Sequence, residues 1–212
     1  MPSRTLVGWS AWAGMLGGLL WALFPFLTVV VSLDETRFGT PSYVAVAALY
    51  WLMAVVPLLL LLFALAGLRA AFGGAYGRLG NAGFLVSFVA LVFMFLGNGV
   101  EVASLTLSGS ESSLGHSLFL IGFLVLLLGS VLLGVSLVKT RRDAISRLAG
   151  LLLALALPLG ILLAVVLGTI APKTDLGFWA AITVPYGVAW TLLGYSLAFR
   201  HAEFAGQPAR VA

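Results

Sequence analysis

The chain has 212 residues, of which 62% are hydrophobic and only 8% charged, against about 25% charged residues in an ordinary soluble domain. That balance excludes a water-soluble fold. The formal charge of +4 is scattered through short segments between apolar runs, so it reports membrane topology and excludes a nucleic-acid partner.

The first apolar run, Gly8–Leu33, follows Arg4 as a signal peptide would. It is too long for an h-region of about 7–15 residues and has no clear A-x-A site after it, so it is expected to be a retained helix. Ser10, Gly14, Gly18 and Ala22 lie four apart along it, a small-residue stripe that lets a second helix approach closely. Trp9 and Trp12 sit where interfacial anchors belong.

The second run, Tyr43–Leu68, contains Pro57 and a leucine block at 58–62 with none of the alternation a β-barrel strand would show. Tyr43 reads as another interfacial anchor, and Tyr50 and Trp51 lie deeper. The third run is Leu79–Leu105. Met94, Asn98, Glu101 and Ser108 share one face of it by the 3.6 period, and Glu101 is the only acid well inside any run. An ionisable group there costs about 2.5–3.5 kcal/mol at mid-helix on insertion scales, so it demands a reason.

The fourth run, Leu114–Val138, opens with His116 across a short loop from Glu101, and antiparallel neighbours would bring the two side chains within reach. Gly115, Gly122, Gly129 and Ser136 follow at intervals of seven. The fifth run, Leu148–Ala171, carries Ala156, Gly160, Ala164 and Gly168 four apart, together with Pro158. The sixth, Gly177–Phe199, carries Trp179, Thr183, Tyr186 and Trp190 on one face, interrupted by Pro185, whose ring removes a backbone hydrogen bond.

Each run is about 20 residues or more, the length that spans a bilayer as a helix. The expected fold is therefore an all-α polytopic bundle, a single domain of six transmembrane helices over residues 1–212. Arg4, Arg69, Arg78, Lys139, Arg141, Arg142, Arg147, Arg200 and Arg210 fall on one side and only Arg37 and Lys173 on the other. Nine against two places both termini in the cytoplasm of a cell-membrane protein. The other side holds Asp34, Glu35, Glu111 and Asp175.

Runs four and six end alike, in Leu132-Leu133-Gly134-Val135-Ser136-Leu137 and Leu192-Leu193-Gly194-Tyr195-Ser196-Leu197, each followed by arginine. Runs three and five open alike with Arg78-Leu79 and Arg147-Leu148. The hairpins read as tandem copies in one orientation, without the inverted symmetry of many secondary transporters.

Enzyme signatures are missing. The Gly134-Val135-Ser136 triplet is followed by Leu137 and not by the glycine of an intramembrane serine protease. There is no H-E-x-x-H zinc motif and no pair of membrane aspartates. The absence of cysteine removes thiol and disulfide chemistry. No pattern identifies a cofactor or a metal site. The segments Arg78-Leu79-Gly80, Gly97-Asn98-x-x-Glu101 and Trp190-Thr191-Leu192-Leu193-Gly194-Tyr195 resemble a loose group of prokaryotic six-helix membrane proteins with no established activity. The resemblance runs from Arg69 to His201 and implies a topology only.

The functional expectation is a non-enzymatic membrane protein that binds a lipid-like or aromatic small molecule, or serves as an accessory subunit of a membrane complex. Asn98, Glu101, His116, Thr183, Tyr186 and Trp190 are the candidate ligand-binding residues, lining an aromatic cavity with a polar end. Partners expected are membrane lipids, a hydrophobic ligand, and a membrane-protein partner or second copy. The alternative is a proton- or cation-coupled transporter using Glu101 and His116.

Overall fold

A computed structural model describes residues 4–31, 36–72, 77–141, 143–172 and 175–205. Asp34, Glu35, Arg142, Lys173 and Arg210, which enter the orientation argument, lie outside the described residues. Among the described residues there are seven helices and no strand. They are α1 (Arg4–Val30), α2 (Pro41–Phe72), α3 (Gly77–Ser108), α4 (Ser113–Thr140), α5 (Ala144–Ala154), α6 (Ala156–Ile170) and α7 (Leu176–Ala205). Five are long and apolar enough to cross a membrane, or six if the bent pair of α5 and α6 is counted as one span. The protein is an all-α polytopic helix bundle.

Local chemistry sets the helix ends. Thr40 caps α2 through its side chain, which accepts from the Tyr43 nitrogen, and Pro41 occupies the first turn, where no N–H is needed. Gly109, at φ +67, ends α3 with its nitrogen on the Leu105 carbonyl at 3.0 Å. Ser112 caps α4 through Gly115, and Asp143 caps α5 through Ser146 at 2.7 Å.

The prolines behave differently from one another. In α2, a π turn over Trp51–Val55 immediately precedes Pro57, whose ring cannot donate to the Met53 carbonyl. The wider turn takes up the mismatch, with the Val56 nitrogen reaching back to the Trp51 carbonyl. Helix α7 runs through Pro185 without interruption. The fifth run does break: Leu155, at φ −100 and ψ 11, separates α5 from α6, whose axes diverge by 68°. Pro158 explains the position, because it removes the bond to the Ala154 carbonyl and its ring crowds that oxygen. The expected single helix Leu148–Ala171 is thus two.

The helices neighbour one another in chain order, α1 to α2 and so on, and α7 closes back on α1 to complete a ring. The two most extensive seams are α3–α4 and α1–α7. Both are made by glycine. A Cβ at Gly194 would come within 2.5 Å of the Met15 nitrogen, and one at Gly122 within 2.8 Å of the Met94 nitrogen, so backbones touch where side chains would separate them. Inside the ring lie Trp21, Phe119, Tyr186 and Trp190 together with Leu58, Leu61, Leu91 and Met94, all buried.

Opposite ends of the ring differ in charge. The end holding Arg69, Arg78, Lys139, Arg141 and Arg147 is called the basic end here, and the end with Glu111 and Asp175 the acidic end. At the basic end Arg69 donates to Asn81 and lies over the Phe84 ring, while the buried Arg141 stacks 3.5 Å above the Phe72 ring centre. These contacts join α2 to α3 and α4 to α2.

Candidate functional site

Five of the six candidate residues occupy two places in the ring, and Asn98 stands apart from both. Near the acidic end, Glu101 on α3 meets His116 on α4, with Oε1 and Nδ1 3.3 Å apart. The contact follows from the α3–α4 seam, where a Cβ at Gly115 would lie 2.7 Å from the Glu101 nitrogen. Helices this close leave adjacent side chains little choice but to meet. Because α3 extends to Ser108, Glu101 sits about 10 Å below the helix end, deeper than the run ending at Leu105 implied. Its side chain is 17% exposed and that of His116 46%, so the pair is half wetted.

Exposure rises along the expected face of α3, from Met94 at 0% and Asn98 at 7% through Glu101 to an exposed Ser108. Asn98 does not join the pair. Its amide donates to the Ala54 carbonyl at 3.0 Å, inside the π turn of α2. Two further bonds tie the same helices together: Tyr43 Oη donates to the Leu105 carbonyl at 2.5 Å, and Trp51 Nε1 donates to Thr106 Oγ1 at 3.3 Å. Tyr43, read from sequence as an interfacial anchor, is instead 5% exposed and clamps α2 to α3. Its phenol at the start of a span gave no signal that could separate the two roles.

The second place lies at mid-depth on α7. Thr183 is fully buried and donates to its own helix, at the Trp179 carbonyl. Tyr186 is also fully buried, its ring 6.1 Å from both Trp21 of α1 and Phe123 of α4. Trp190, one turn further, is 2% exposed. Among the described residues, their polar atoms, Tyr186 Oη and Trp190 Nε1, find no hydrogen-bond partner, nor does Ser87 Oγ on α3. Ser130 of α4 faces the Tyr186 hydroxyl without bonding geometry. Sequence reasoning missed Ser87 and Ser130. Each is a single serine in an apolar helix, and the only signal was the neighbouring Gly129, which packs on the Ser87 backbone.

Chemically, the first place offers a carboxyl and an imidazole able to share a proton, partly open to water. The second offers hydrogen-bond donors inside an aromatic cage. Among the described residues no group of three His, Cys, Asp or Glu gathers where it could hold a metal ion. No protein-family profile matches the chain, and no curated protein or solved structure is significantly similar to it.

Proposed function

We propose that this is a non-enzymatic integral protein of the cell membrane, with both termini cytoplasmic, that holds a lipid-like or aromatic small molecule in its aromatic core. The observation that supports this most is the set of buried, unpartnered polar atoms on Tyr186, Trp190 and Ser87. Each unsatisfied buried donor costs about 1–3 kcal/mol, and phenylalanine at 186 would avoid that cost with nearly the same volume. A ligand oxygen that accepts from Tyr186 or Trp190, one turn apart on α7, offsets it.

Native mass spectrometry of the protein released from membranes in mild detergent tests the reading. A retained apolar molecule is expected, lost from the Tyr186→Phe, Trp190→Phe double variant while its thermal unfolding stays cooperative. Retention of nothing by the parent protein in several detergents would overturn it, and a copurifying membrane protein would favour an accessory-subunit role instead. The half-wetted Glu101–His116 contact is the observation that favours the transporter reading. Proton-coupled flux in liposomes, abolished by Glu101→Gln, would establish that alternative.

A further inference from the structure

Tyr186 and Trp190 are almost entirely buried, so a molecule that reaches them must pass between helices. The ring is not equally closed on all sides. Helix α5 packs on both α4 and α7, but beyond Leu155 helix α6 stays with α7 and nearly leaves α4. Only Ala156 and Gly160 of α6 are buried, while Leu157, Ile161, Leu162, Val165 and Ile170 are half or more exposed.

The face of α4 that meets α5 is marked by Gly134, Leu137 and Val138, whose neighbours are Gly150, Leu153 and Ala154. Stepping back from Gly134 along α4 by seven, eleven and fourteen residues continues that face to Leu127, Phe123 and Leu120. These three lie past the bend and are only partly buried. Phe123 is therefore the side chain standing in the gap, edge-on to Tyr186 at 79° with ring centres 6.1 Å apart. Behind it lie the unpartnered Tyr186 hydroxyl and Ser130.

We infer that the ligand enters sideways from the bilayer, through a portal between α4 and α6 that the break at Leu155 opens and the Phe123 ring closes, and that it is an uncharged, lipid-like molecule bearing an oxygen acceptor. The inference rests on the ligand-binding reading above and adds its route and chemical class. The acceptor follows from Trp190 Nε1, which can only donate. The lack of charge follows from depth: Tyr186 lies ten residues into α7, about 15 Å from its start, where an ion would be expensive, and Tyr186, Trp190 and Ser130 are all uncharged at neutral pH.

The test uses the full chain in phosphatidylcholine liposomes with a monoacylglycerol carrying a mid-chain diazirine, photolysed and mapped by mass spectrometry. Label is expected on α4 between Leu120 and Leu127 and on α7 around Tyr186. Phe123→Trp should cause loss of the α7 label and Phe123→Ala should increase it, with the label on the outward α1 residues Leu16, Leu19 and Leu23 unchanged in both. Because the two variants act in opposite directions, misfolding of one does not imitate the result. An α7 label indifferent to residue 123, or absent although native mass spectrometry finds a retained molecule, overturns the portal and leaves ligand binding intact. No α7 label together with no retained molecule removes both.

Discussion

At the scale of single residues, the polar atoms inside the ring differ in whether they join one helix to another. Asn98 does so, since its amide satisfies the Ala54 carbonyl where the π turn disturbs the backbone ladder. Asn98→Leu should lower stability by about 1–3 kcal/mol, the cost of a buried acceptor left unmet; chemical unfolding in detergent micelles measures it, and an unchanged midpoint would show that the bond contributes nothing. Glu101 and His116 are partly wetted, so their contact should be weak. A double-mutant cycle with Glu101→Gln and His116→Asn should give a coupling of about 0.2–1 kcal/mol, and zero coupling would mean that the contact does not form. The pair was legible in the sequence because two polar residues flank one short turn, and hairpin geometry leaves them few other partners. The Trp51–Thr106 bond was not legible: a tryptophan in an apolar run looks the same whether or not its nitrogen reaches a hydroxyl across the seam.

At the scale of elements, the apolar runs located the spans because lipid leaves the backbone no alternative to the helix. What each proline would do was not written there. Pro185 sits inside an unbroken α7 and Pro57 behind a π turn, while Pro158 breaks its helix outright; the difference lies in neighbouring packing, since α6 has little on its α4 side to hold it in line. The glycine stripes were legible as seams, and Gly14 and Gly18 do meet α7, but which helix they would meet depended on the ring closing. Pro158→Ala restores the missing donor and should straighten the α5–α6 pair. Spin labels at Leu148 and Ile170 should then move from about 28 Å to about 33 Å apart, taking 1.5 Å of rise per residue and the 68° bend. An unaltered electron–electron distance would place the cause of the break elsewhere than in the proline.

At the scale of the whole molecule, the contrast between the basic and acidic ends predicts a direction for the ring in the membrane. A cysteine replacing Lys139 should be protected from a membrane-impermeant thiol reagent in intact cells, and one replacing Thr40 should react, because basic flanks are retained on the cytoplasmic side; the opposite labelling would invert the assigned orientation. The closure of that ring also has a consequence in time. Thr191 reaches the Met15 carbonyl across 176 residues of sequence, so the Gly14–Gly18 side of α1 lacks its α7 partner until the last helix has been made. At a synthesis rate of about 5–20 residues per second, those 176 residues take roughly 9–35 s. Throughout that interval the first helix stands in the bilayer with its most adhesive surface uncovered, free to pair with a neighbour's helix before its own arrives.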